Sequence, residues 1–160
     1  MENKKVKELI QNTFDDVAKN YDGNKYFVIS AKEMVSSIKN IFPLGNKNIN
    51  ILDLSSGTGN IAIELSKQYP KAAIDAVDIS EEMLKMAKQK TEKEGIENIT
   101  YHMQDVENLQ FSDKKFDIIT CGYGLFFYPK MDAVLKDVCA RLQKDGICFF
   151  YIYKRGFSTI

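Results

Sequence analysis

Asp53-Leu54-Ser55-Ser56-Gly57-Thr58-Gly59-Asn60 is the stretch on which the fold turns. Ile49 to Leu54 is a short apolar run bounded by turn residues, which reads as a buried strand. From Asn60 to Tyr69 the spacing is helical, and Pro70 ends it. Between the two, Gly57 and Gly59 allow a tight turn and a close approach of another molecule to the backbone. The start of the helix adds free N–H groups and a partial positive charge. A glycine-rich strand-to-helix turn can equally bind nothing, so the loop alone does not decide function.

Upstream, Val6, Leu9, Ile10, Phe14, Val17, Ala18 and Tyr21 make one apolar helical face, broken at Asp22-Gly23-Asn24. A second helix uses Ala31, Met34, Val35, Ile38 and Phe42 and stops at Pro43, before a turn at Gly45-Asn46-Lys47-Asn48. Downstream, short apolar runs at Ala72–Val77, Ile99–Met103, Phe116–Cys121 and Ile147–Tyr153 read as strands. Ser80 is placed to cap a helix with Glu81 and Glu82 in its first turn, and Gly95 closes it. Another helix runs from Met131 to Leu142 with a core face at Met131, Val134, Leu135, Val138 and Leu142, and Lys144-Asp145-Gly146 turns the chain into the fifth strand. Strands alternating with helices imply right-handed crossovers and a parallel sheet. Ligands bind such sheets at the carboxyl ends of the strands.

The residues following each strand are therefore the candidates. Asp78 closes the second strand, 25 positions after Asp53, where a carboxylate can accept both ribose hydroxyls of a nucleoside. Asp105 and Val106 follow the third strand. There a carboxylate could accept from an adenine amino group and Val106 could pack on its ring, although an ordinary turn aspartate fits the spacing as well. After the fourth strand, Gly122, Tyr123, Gly124, Phe126, Phe127 and Tyr128 offer either an apolar pocket or aromatic core filling.

The chain has 160 residues, 44% apolar and 28% charged, consistent with one soluble domain. Lys+Arg and Asp+Glu both number 22, so there is no basic footprint for nucleic acid or an anionic membrane. Cys121, Cys139 and Cys148 lack CxxC spacing, which argues against disulfides and zinc and for buried thiols; no metal is expected. His102, the only histidine, falls in a strand. With neither a signal core nor a membrane-length apolar run, the cytoplasm is the expected compartment.

Taken together, the segments resemble class I S-adenosylmethionine (SAM)-dependent methyltransferases. Asp53 to Gly59 resembles their motif I, and Val77-Asp78-Ile79-Ser80-Glu81-Glu82-Met83-Leu84 their acidic loop. Phe116 to Cys121 resembles their fourth strand, and Ala140 to Gly146 their post-helix turn. Phe14-Asp15-Asp16-Val17-Ala18-Lys19-Asn20-Tyr21-Asp22 resembles the F-x-x-x-A-x-x-Y-D lead-in of the small-molecule branch, nearest to ubiquinone/menaquinone-type C-methyltransferases. The resemblance runs from about residue 9 over nearly the whole chain. It implies a Rossmann-like parallel sheet in order 3-2-1-4-5, with residues 1–45 as a helical cap and 46–160 as the core. SAM would be the cofactor. Asp53, Ser55, Gly57, Thr58 and Gly59 would hold its methionine part, and Asp78 the ribose. Ile79 and Met83 would flank the adenine, Asp105 and Val106 would read its edge, Gly122 would line the methyl end and Tyr21 would cap the pocket. Tyr123, Phe126, Phe127 and Tyr128 would face a small, partly apolar acceptor. The chemistry demands no particular acid or base, and none is assigned among Tyr21, Tyr123, Tyr128 and His102.

Two departures stand out. Ser55 replaces the first glycine of the motif. The family also adds two antiparallel strands after the fifth, whereas this sequence ends at Ile160. An order of 3-2-1-4-5 would leave Cys148 to Tyr153 as an apolar edge. A dimer, a completing subunit or a shortened product would follow. The rival readings are a SAM- or S-adenosylhomocysteine-binding subunit without transfer activity, and an NAD-dependent oxidoreductase, since Gly57 to Ala62 satisfies G-x-G-x-x-A. Against NAD, two acidic positions around the loop would repel a pyrophosphate and suit an ammonium group.

Overall fold

A computed structural model describes residues 2–43 and 47–152. Gly45 and Asn46 of the expected turn, the division between residues 45 and 46, and Tyr153 lie outside the described residues. Helix α1 (Glu2–Val17) runs into a 3-10 turn at Ala18–Gly23, and α2 (Lys25–Ile41) follows, its start capped by the Asn24 side chain accepting from Tyr26 N. The core then alternates as β1 (Asn50–Leu54), α3 (Asn60–Gln68), β2 (Ala73–Asp78), α4 (Glu81–Glu94), β3 (Ile99–Met103), β4 (Phe116–Gly122), α5 (Met131–Ala140) and β5 (Leu142–Tyr151). All five strands are parallel, as the strand-helix alternation implied, and lie in the order β3-β2-β1-β4-β5 that the family resemblance implied.

Both faces of the sheet are covered, which is why its central strands are apolar almost throughout. Ile51, Ile74, Ala76 and Ile118 pack against α2 and α3 on one face. Leu52, Leu54, Val77 and Ile119 pack against Val134 and Val138 of α5 on the other. Ser80 Oγ accepts from Met83 N and Gly95 closes α4 in the left-handed region (φ +67°), so both ends of that helix follow their sequence signals.

Three expectations are corrected. The Lys144-Asp145-Gly146 turn lies inside β5, which begins at Leu142. Asp145 takes φ +67° and the β4–β5 register shifts there, so the turn becomes an irregularity within the strand. Helix α5 ends at Ala140 and leaves Met131 exposed, because only Val134 and Val138 are fully buried on its sheet side. Of the three cysteines only Cys121 is buried; Cys139 is exposed. Among the described residues β5 pairs with β4 alone, but its apolar side chains, Leu142 and Ile147 to Tyr151, are half-buried against both cores. The open feature is the backbone edge. No described helix is long and apolar enough to cross a membrane.

Candidate functional site

A cleft opens at the carboxyl ends of β1, β2, β3 and β4. Nine of the twelve cofactor candidates line it, as do Tyr123, Phe126, Phe127 and Tyr128. Its centre is the loop after β1, where Ser55, Gly57 and Gly59 have φ of +49°, +55° and +79°. The loop is pinned to β2 by Ser56 N donating to Val77 O at 2.9 Å and closed on itself by Gly59 N donating to Ser56 O. Asp78 bridges the two strand ends: Oδ2 accepts from Gly57 N at 2.7 Å and Oδ1 from Ser80 N at 2.9 Å. Burial nevertheless pushes its carboxyl above the usual range, against those backbone donors.

Asp53, Thr58 and Gly59, expected to hold the cofactor, are not among the residues that line the cleft. Asp53 is fully buried and accepts from Thr120 Oγ1 at 2.7 Å, its neighbour in the β1–β4 register. Its Oδ2 has no hydrogen-bond partner. Burial raises its pKa to about 7, and the charge of Asp78 adds to this; Thr120 and the Ala62 N–H at the start of α3 act the other way. Gly59 is a packing position: a Cβ there would come within 3.0 Å of Ala87 Cβ.

The N-terminal segment lies across three strand ends and grips each through one polar side chain. Lys7 pairs with Asp105 and Glu107 after β3. Asp15 Oδ1 accepts from Ser80 Oγ at 2.6 Å after β2. Asp22 accepts from Thr58 Oγ1 and Asn60 Nδ2 after β1, and pairs with Lys90 of α4. None of these three was singled out as a site residue. Asp22 closes the F-x-x-x-A-x-x-Y-D lead-in and Asp15 lies within it, but that resemblance gives neither a role, and Lys7 precedes it. Lys7 lines the cleft and occupies Asp105 Oδ2, while Asp105 Oδ1 caps the following turn by accepting from Glu107 N.

The β4 end is aromatic. Phe14 meets Phe127 edge-on at 5.2 Å, Tyr21 stacks on Phe27 at 4.7 Å, and Phe27 meets Tyr123 at 5.8 Å. Phe14 and Phe27 carry this wall with the expected residues. Ser55 turns its hydroxyl onto Tyr128 Oη at 2.6 Å, and Gly124 leaves room for it: a Cβ at 124 would lie 2.5 Å from that of Ser55. Of the four groups weighed as a base, Tyr21, Tyr123 and Tyr128 line the cleft. His102 is instead paired with Asp75, which also takes Lys114. Burial lifts the Tyr128 phenol well above its ordinary range.

These residues fit SAM. The Asp78 carboxyl at the end of β2 lines the cleft beside the positive-φ glycine loop, where it suits ribose hydroxyls, and no basic side chain of that loop is there to take a pyrophosphate. Known proteins agree. The chain is 32% identical over 161 residues to the ubiquinone/menaquinone biosynthesis C-methyltransferase UbiE of Rickettsia massiliae, covering 96% of this chain and 65% of that one. It is 31% identical over 147 residues to a malonyl-[acyl-carrier protein] O-methyltransferase of Bacillus cereus, covering 90% and 52%. The chain thus spans between half and two thirds of the length of these curated relatives. Among solved structures, an S-adenosylmethionine-dependent methyltransferase of Clostridium acetobutylicum superposes with a TM-score of 0.66 at 26% identity, over 88% of this chain and 56% of that one. The model of the ubiE/COQ5 methyltransferase family matches residues 1–154, and the chain belongs to that family.

Proposed function

We propose that this chain binds SAM in the cleft and transfers its methyl group to a small, partly apolar acceptor. The observation that carries the reading is the Asp78 carboxylate, which ties the glycine loop to the end of β2 and lines the cleft. The bound cofactor supplies a methyl group already activated as a sulfonium. The chain's part is then to bind, orient and exclude water. Asp78 takes the ribose, Ile79 and Met83 flank the base, and Asp105 and Val106 read its edge. Ser55, Gly57 and Gly122 line the methionine and methyl end, with Asp53, Thr58 and Gly59 shaping that loop. Tyr21, on the cap formed by residues 1–45, covers it. The ring-lined wall of Phe14, Tyr123, Phe126 and Phe127 favours a flat apolar acceptor, and relatives named for quinone biosynthesis support that choice. The open backbone edge of β5 is proposed to pair with a further strand, from this polypeptide or a second one, and the compartment to be the cytoplasm.

Calorimetric titration with SAM, S-adenosylhomocysteine and NAD in parallel tests the reading. SAM is expected to bind and NAD not. Asp78→Ala is expected to weaken SAM by about 10- to 100-fold, the scale of losing hydrogen bonds to a charged group. A folded chain that ignores SAM would sink the proposal.

A further inference from the structure

Asp22 is absent from the cleft lining, yet three side chains donate to its carboxylate. Oδ1 accepts from Thr58 Oγ1 at 2.7 Å and from Asn60 Nδ2 at 2.8 Å, and Oδ2 takes Lys90 Nζ at 2.8 Å. Lys90 Nζ also donates to Asn60 Oδ1 at 2.8 Å, which closes the ring of contacts. Thr58 and Asn60 bracket Gly59, so one carboxylate from the N-terminal segment holds both shoulders of the loop's last glycine. Gly57, on the cleft side of that loop, has open space where a Cβ would sit and φ +55°, so packing does not fix it. Tyr21, immediately before Asp22, lines the cleft and stacks on Phe27. The cap and the glycine loop are thus set by the same few atoms. Burial works against the Asp22 charge, but Lys90, Thr58 and Asn60 together outweigh it and hold the carboxyl below the usual range.

We infer that Asp22 is a positioning residue: it touches no ligand, but it locks the cap onto the β1 loop and so sets the shape of the methionine end of the cleft, leaving the nucleoside end to Asp78 and the first turn of α4, about two turns before Lys90. The inference rests on the reading of the cleft as a SAM site. It predicts a split that general loosening of the fold would not produce. Adenosine carries the nucleoside and lacks the methionine arm, so its binding should not depend on Asp22.

The test is calorimetric titration of the whole chain and of Asp22→Ala with SAM and, separately, with adenosine. Asp22→Ala should weaken SAM by roughly tenfold, the scale of a charge-assisted anchor, and leave adenosine unchanged. Asp22→Asn keeps the acceptor facing Thr58 and Asn60 but not the ion pair, and should recover part of the SAM affinity. It also serves as the test variant if the alanine substitution does not fold. Equal loss of both ligands, or no loss of either, overturns the inference. An unsubstituted chain that binds adenosine but not SAM, or neither, removes the cofactor reading itself and this inference with it.

Discussion

At the β1–β2 end of the cleft the lining is backbone and carboxylate, held by hydrogen bonds between residues of two adjacent loops. At the β4 end it is rings contributed by α1, the turn after it, α2 and the loop after β4. The first end is made by short stretches of chain in fixed relation to strand ends. The second exists only once the N-terminal segment has folded back over the sheet. The backbone of the polar end is therefore set locally, with Lys7, Asp15 and Asp22 fastening the N-terminal segment onto it, whereas the aromatic end is tertiary throughout.

The largest expected effect probes the cost of the polar end. Asp53 is fully buried and its pKa rises from 3.8 to about 7 on folding. Between those values the folded chain holds more protons than the unfolded one, so this group makes stability fall as pH rises, by at most ~1.4 kcal/mol per pH unit. Above about 7 its contribution is flat. Asp53→Asn keeps the bond from Thr120 and removes the titration. Thermal midpoints of both proteins from pH 5 to 8 should diverge as pH rises, with the variant gaining on the parent up to about pH 7. Parallel curves would show that the polar end stores no such cost.

A smaller effect separates the two glycines. Gly59→Ala forces a Cβ at φ +79° to within 3.0 Å of Ala87 Cβ, so it should cost about 1–2 kcal/mol from backbone strain alone. For a chain of this size that is a fall of roughly 2–8 °C in melting temperature. Gly57→Ala carries the strain without the crowding and should cost the fold less, while its methyl projects where the cleft is open. Melting curves beside SAM titrations of both variants check the division. If Gly57→Ala is the more destabilising of the two, the loop is packed from the other side than described.

The same contrast explains what the sequence disclosed. The parallel sheet, the glycine loop and the place of Asp78 at a strand end followed from strand-helix alternation and turn chemistry, which act over a few residues, whereas the strand order came from the family resemblance. The Ser80 and Gly95 caps were legible for the same reason. The partners of Lys7, Asp15 and Asp22 were not, because each lies 36 or more positions away. The α5 face was overestimated at Met131 because periodicity reports which residues share a face, not how much of that face a neighbour covers. The β5 turn was misread because Asp145 at positive φ suits a bulge as well as a turn.

The smallest expected effect sits where the two ends meet. Ser55 stands where the family motif has glycine, and its φ of +49° costs a non-glycine residue about 1 kcal/mol. The 2.6 Å hydrogen bond to Tyr128 Oη offsets this by a similar ~1 kcal/mol. Ser55→Gly should therefore leave stability nearly unchanged, since strain and bond vanish together. Tyr128→Phe should cost about 1 kcal/mol, since only the bond vanishes. With Tyr128→Phe already in place, Ser55→Gly should stabilise by about 1 kcal/mol, which makes the coupling in the double-mutant cycle about 1 kcal/mol. Denaturant unfolding of the four proteins measures it. Zero coupling would mean that the serine is merely tolerated and the two ends of the cleft are built independently. Coupling of the expected size would mean that a strained residue in the cofactor loop is held in place by a ring of the acceptor wall.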